Sequence, residues 1–219
     1  MQNPKLKVKA IIFDLDGTLV DSRGAYSEAA ETAFASTGQR MVDERIVTEI
    51  PRRLEQDLPI DDLIIGVDVK RFKEIYLGAY YQATIKKNKP FPNIADTLEK
   101  LSSKAKLAVT TRRNIPETEV KRELTKFGLA KHIQKIVTSQ DTLKPKPSPE
   151  ALIKCAEHLD VKIRDCAVVG DSVIDIRAGK NAGARTVAVL SGIFSREELA
   201  REKPDLILQN VNELTIYVE

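Results

Sequence analysis

The stretch Val8-Lys9-Ala10-Ile11-Ile12-Phe13-Asp14-Leu15-Asp16-Gly17-Thr18-Leu19-Val20-Asp21-Ser22 decides the fold. Its first half is a short, largely apolar run of the length of a buried strand, and it leads straight into Asp14. A carboxylate at that point stands at the end of a strand, and Asp16, two residues on, can project the same way. Two carboxylates this close repel unless a cation or a shared proton intervenes. A solvated Asp-Gly turn that merely ends the strand is the competing reading of the same residues. A calcium EF-hand is excluded, because Gly17 comes too early and Ala25 stands where the bidentate Glu belongs.

Working outward, similar apolar runs recur at residues 107–111, 133–138, 167–169, 186–190 and 205–208, with helical patterns between them. That alternation predicts an α/β fold, a Rossmann-like parallel sheet flanked by helices. Between the first and second strands it breaks: residues 22–89 hold no convincing strand but amphipathic stretches at 25–35, 43–58 and 69–85. In the last of these, Val69, Phe72, Tyr76, Ala79, Tyr80 and Ala83 recur at three- and four-residue spacings. The expected organisation is a core of residues 1–20 and 90–219 with an inserted all-helical domain at 21–89. Its hinges are residues 21–24 and the proline-containing 88–93. Both fall near the end of the first strand, so the insertion is expected above the carboxyl ends of the sheet, where open α/β sheets bind ligands.

A second acidic site reads Ala167-Val168-Val169-Gly170-Asp171-Ser172-Val173-Ile174-Asp175. Asp171 would share the sheet rim with Asp14, and Asp175 lies one helical turn on, pointing back to the same edge. Ser172 and Asp175 also form an S-x-x-D capping box with Gly183 as a helix stop; capping accounts for those two residues but leaves Asp171 unexplained. Thr110 and Thr111 end another strand, where a hydroxyl and turn amides can face an anion. Lys144 lies in the stiff loop Lys144-Pro145-Lys146-Pro147-Ser148-Pro149. Taken singly, such a Thr is a strand former and such a Lys a solvated charge. Together, carboxylates from two strands, a Thr and a Lys describe a divalent-cation site beside a phosphate site.

This order of motifs resembles the haloacid dehalogenase superfamily, and more narrowly its phosphoglycolate-phosphatase-like members with a small helical cap; the resemblance spans core and cap. It implies a Mg²⁺-dependent phosphatase in which Asp14 is the nucleophile that takes the phosphoryl group. Asp16 would be general acid and then base, with its backbone carbonyl on Mg²⁺. Thr111 and Lys144 would hold phosphate oxygens, Asp171 would ligate the metal, and Asp175 would ligate or support it. For Asp16 to work as an acid, its pKa would have to be raised by carboxylate neighbours or burial. A β-phosphoglucomutase-type sugar phosphomutase and a pyrophosphatase share this machinery, and a phospho-accepting receiver domain combines similar residues, although its acceptor sits on the third strand. Departures from the family pattern concern specificity: Arg112-Arg113 follow Thr111, where a small polar residue is common, and Pro51 with Arg52-Arg53 replaces a cap-loop Gly. Arg52, Arg53 and Arg112 are therefore candidate contacts to an acidic or phosphorylated substrate.

Composition removes other classes. The 219 residues carry 35 Lys+Arg against 32 Asp+Glu, a net charge of +3 without a basic tail, so nucleic acid is not an expected partner. No apolar run nears the roughly 20 residues that span a bilayer, and residues 1–9 lack a signal-peptide core, which predicts a cytoplasmic protein without a membrane partner. Cys155 and Cys166 lack CxxC spacing and read as buried thiols. His132 and His158 lack metal-ligand spacing. The expected partner is a small phosphorylated molecule; monomer and homodimer are both compatible with the sequence.

Overall fold

The computed structural model describes residues 5–39 and 43–219; Met1 to Pro4, part of the segment read for a leader, lie outside the described residues. Among the described residues there are eight strands: β1 (Ala10–Asp14), β2 (Val20–Asp21), β3 (Lys89–Pro90), β4 (Lys106–Thr110), β5 (Lys135–Val137), β6 (Cys166–Gly170), β7 (Arg185–Val189) and β8 (Leu206–Leu208). Six of them form one sheet in the order β5-β4-β1-β6-β7-β8, and every pairing in it is parallel. The α/β reading of the sequence is borne out, each expected strand lying within one or two residues of its place. The two-residue strands β2 and β3 form a separate small sheet that the sequence did not announce, since two residues carry no periodicity.

β1 is central, and its neighbours explain its composition. Ile11 and Phe13 face one layer with Leu107, Val109, Ala167 and Val169, while Ala10 and Ile12 face the other with Ala108 and Val168. A strand covered on both faces has no reason to alternate polar and apolar residues. The helices α4 (Ile94–Ser102), α5 (Glu117–Lys126), α6 (Glu150–His158), α7 (Val173–Ala182), α8 (Arg196–Arg201) and α9 (Leu214–Tyr217) belong with the sheet. The chain leaves β1 for β4 and β5 on one side, then returns to β6, β7 and β8 on the other. That reversal opens a crevice at the carboxyl ends of β1 and β6, the place where such sheets bind ligands.

The chain divides into two compact units, Met1–Val20 with Pro90–Glu219, and Asp21–Lys89. The second unit contains α1 (Arg23–Ser36), α2 (Ile46–Glu55) and α3 (Val69–Lys87). The Asp68 carboxylate starts α3 by accepting the Arg71 amide at 2.7 Å. Alanines 25, 29 and 33 line the buried face of α1, and an aromatic seam joins it to α3: Tyr26 stacks on Tyr80 at 5.3 Å, and Phe34 meets Phe72 edge-on at 5.1 Å. Phe72 also stacks with Tyr76 and is fully buried, which makes it the centre of the seam. Among the described residues, no helix is long and apolar enough to cross a membrane.

Phe72→Ala should cost about 3–5 kcal/mol of stability, since it removes a large ring from a closed seam. Urea denaturation followed by circular dichroism measures this, and a loss below about 1 kcal/mol would mean the helical unit is not held by its aromatic seam.

Candidate active site

Asp14 is the last residue of β1 and pairs in register with Thr110 at the end of β4. The only side-chain amine that reaches it belongs, among the described residues, to Lys146. Its Nζ donates to Asp14 Oδ1 at 2.6 Å and to Asp175 Oδ1 at 2.8 Å, with the Thr110 carbonyl at 3.4 Å. Lys146 is buried at 3% exposure. Burial works against its ammonium, but Asp14 and Asp175 outweigh that and raise its pKa. Lys146 is therefore a fixed cation.

The expectation for Lys144 is corrected here. Its side chain is exposed, and its amide, like that of Leu143, donates to the Glu150 carboxylate at 3.1 Å. The Glu150 contact anchors the loop on α6, and two residues later the chain delivers Lys146 inward. Both lysines sit beside prolines in an extended segment, so the sequence offered no signal to choose between them.

Asp171 follows β6 and Asp175 lies in the first turn of α7. The Ser172 hydroxyl and amide donate to Asp175 Oδ2 at 2.6 and 3.2 Å, while Ser172 Oγ accepts the Asp175 amide, closing the capping box. Gly183 ends α7 in the left-handed region. Asp175 thus caps its helix with one oxygen and binds Lys146 with the other. Asp171 Oδ1 accepts the Thr18 hydroxyl at 2.8 Å. Around Asp171 the backbone comes so close that a Cβ at Gly17 or at Gly192 would overlap its carboxyl group. Gly17 also has a φ of +80°, and its carbonyl accepts the Ser191 hydroxyl at 2.7 Å, tying the two loops together.

Asp14, Asp171 and Asp175 offer oxygens that all lie within 4.8 Å of one another. Three closely spaced carboxylates share one ammonium, and the imbalance shows in the acidity of Asp14 and Asp171. Burial, with Asp175 and Asp16 adding to it against Lys146, pushes Asp14 up to about 8. Asp171 is raised well above the usual range by burial, then by Asp14 and Asp175. A hard dication would favour the ionised forms of Asp14 and Asp171, and an all-oxygen donor set in a glycine-lined cradle fits Mg²⁺.

Thr111 is buried beyond the end of β4; its amide donates to the Val137 carbonyl at 3.0 Å and its Oγ1 accepts the Arg113 amide at 3.1 Å. That bond leaves the hydroxyl proton available. Asp16 lies outside the three-carboxylate cluster, and both its oxygens are held by a guanidinium: Arg113 Nε and Nη2 donate to them at 2.7 and 2.5 Å. Arg112, singled out from the sequence, is half-buried, and its carbonyl accepts the Ser139 hydroxyl at 2.9 Å. Sequence reasoning missed Lys146, and it missed Arg113 as a partner of Asp16. In the helical unit, Arg52 and Arg53 each donate to Glu49 at 2.8 Å. Both cysteines are buried and unbridged.

The model of the haloacid dehalogenase-like hydrolases matches residues 11–189, from the middle of β1 to the end of β7. The chain belongs to that family. It is a hydrolytic enzyme of the family, as its motifs implied. It is 31% identical over 217 residues to a phosphoglycolate phosphatase of Vibrio parahaemolyticus, covering 94% of each chain. It is 29% identical over 217 residues to a candidate pyrophosphatase, PpaX, of Clostridium perfringens, covering 97% of this chain and 98% of that one. A haloacid dehalogenase-like hydrolase of Streptococcus pneumoniae shares the fold, with a TM-score of 0.80 at 23% identity, over 96% of this chain and 98% of its own.

Two outcomes follow from the family site's charge balance. A carboxyl group whose pKa is raised on folding stabilises the fold while protonated, so the Asp14 contribution is complete below about pH 4 and is lost as the pH rises through about 8. Without divalent cations, wild-type stability relative to Asp14→Asn should therefore fall between about pH 4 and 8 and level off above that, and added Mg²⁺ should raise Tm more at pH 8 than at pH 6. Calorimetry decides it: a pH-independent difference would show that Asp14 does not carry this charge strain. Gly192→Ala, which drives a methyl into the Asp171 carboxyl, should abolish the Mg²⁺-induced rise in Tm, and an unchanged rise would remove Asp171 from the cation site.

Proposed function

We propose that the protein is a Mg²⁺-dependent phosphatase that hydrolyses a small soluble phosphomonoester through an aspartyl-phosphate on Asp14. The observation that carries this reading is Asp14 at the carboxyl end of the central strand, held by the buried ammonium of Lys146. In this reading Asp14, Asp171 and the Asp16 carbonyl hold Mg²⁺, with Asp175 as ligand or support, and the cation offsets phosphate charge so that a carboxylate can approach.

The chain's own groups then do the following. Lys146 neutralises part of the negative charge and aims Asp14, and the Thr111 hydroxyl donates to a phosphate oxygen. An oxygen of Asp14 attacks phosphorus as the ester P–O bond breaks, and Asp16 gives a proton to the departing oxygen. Asp16 next takes a proton from water, whose oxygen attacks the same phosphorus; the bond to Asp14 breaks and phosphate leaves. Arg113 Nε and Nη2 donate to both oxygens of Asp16.

The core is residues 1–20 and 90–219, and the helical residues 21–89 are the family's inserted cap. Arg52, Arg53 and Arg112 are proposed to select the substrate, the first two by exchanging Glu49 for a substrate anion. Similarity to the Vibrio phosphatase supports a small phosphomonoester of the phosphoglycolate kind, and similarity to the Clostridium protein makes pyrophosphate the second class. The reading implies a cytoplasmic small-molecule substrate, with no nucleic-acid or membrane partner.

A phosphate-release screen over phosphoglycolate, sugar phosphates and pyrophosphate, with and without Mg²⁺, tests the reading. Turnover should require Mg²⁺ and vanish in Asp14→Asn with folding intact; near-normal hydrolysis by that variant would end the nucleophile assignment. Lys146→Met should cut kcat by about a hundredfold or more, whereas Lys144→Met should stay near wild type. The reverse pattern would restore Lys144 to the site.

A further inference from the structure

Arg113 is buried, with its side chain only 2% exposed, and it joins three distant parts of the core. One edge of its guanidinium meets both oxygens of Asp16, in the loop after β1. Its Nη1 donates to Glu123 Oε2 on α5, and Nη2 lies 3.5 Å from Glu123 Oε1. Asp16 and Glu123 are nearly enclosed as well, each 11% exposed at the side chain. The backbone that carries Arg113 is fixed on both sides, its amide on Thr111 Oγ1 and its carbonyl accepting the Ser139 amide at 3.2 Å.

Two parallel N–H bonds to the two oxygens of one carboxylate fix the plane of that carboxylate as well as its position. A single ammonium, free to turn on a flexible stem, does not. Enclosed ion pairs of this kind add little net stability compared with apolar packing, so stability alone gives weak reason for the arrangement. We infer that Arg113, itself held by Glu123, is a positioning residue that orients the Asp16 carboxylate for proton transfer. The inference rests on the phosphatase reading for what Asp16 does, but the clamp itself is a property of the fold. Glu123 belongs to it from α5, beside the buried Leu124.

The test uses Arg113→Lys, which keeps the charge and the fold but loses the fork. With a small phosphomonoester and saturating Mg²⁺, kcat should fall by about tenfold or more while KM stays within about twofold. In an Asp16→Asn background, followed by single-turnover phosphate release, the same change should alter the rate by less than about twofold, because the group it positions is gone. A raised KM with unchanged kcat would make Arg113 a substrate contact instead. An equal fall in kcat with and without the Asp16 carboxylate would make it a purely structural residue. A second readout needs no turnover. In ¹⁵N NMR, wild type should show a slowly exchanging arginine Nε–H signal that disappears in Arg113→Lys and shifts in Asp16→Asn and Glu123→Gln. Absence of that signal overturns the clamp, whereas a clear signal with no turnover of any phosphate compound by the wild type overturns the phosphatase reading.

Discussion

Three carboxylates crowded against one ammonium govern this structure. Asp14, Asp171 and Asp175 converge from the ends of β1 and β6 and the start of α7, and Lys146 alone supplies positive charge to two of them. Burial makes the conflict acute, which is why Asp14 and Asp171 move so far from ordinary carboxylate behaviour. Much of the surrounding architecture is what it takes to bring these groups together. β1 and β6 must be neighbours in register, and the connecting loops must run close to Asp171, which only glycine at positions 17 and 192 allows.

Charge is also divided with economy of atoms. Asp175 is at once a helix cap, through Ser172, and a partner of the site lysine, so the start of α7 and the chemistry of the crevice cannot be changed independently. A second cation, Arg113, keeps Asp16 out of the three-carboxylate cluster and ties it to α5. The two cations hold separate carboxylates: Lys146 sits on Asp14 and Asp175, and Arg113 on Asp16. A carboxylate paired with a buried cation holds its orientation without waiting for substrate, and such preorganisation is where enzymes of this chemistry gain rate.

The helical unit follows a different logic. Alanines on α1 and aromatic rings on α3 close a small core of their own. Glu49 meanwhile pairs with Arg52 and Arg53 in the same unit.

The sequence by itself determined the sheet, because apolar strands that stop abruptly at Asp leave a readable edge. Val169-Gly170-Asp171-Ser172 and Phe13-Asp14-Leu15-Asp16 are local signals, complete within a few residues. What only the tertiary structure decided were the cations. Lys144 and Lys146 are indistinguishable in an extended proline-rich loop until Glu150 anchors one end of it, and Arg113 gains its role from Asp16, 97 residues earlier, and from Glu123 on a separate helix. A carboxylate at a strand end is placed by its own strand, but a long flexible cation is placed by whichever partners the fold brings within its reach.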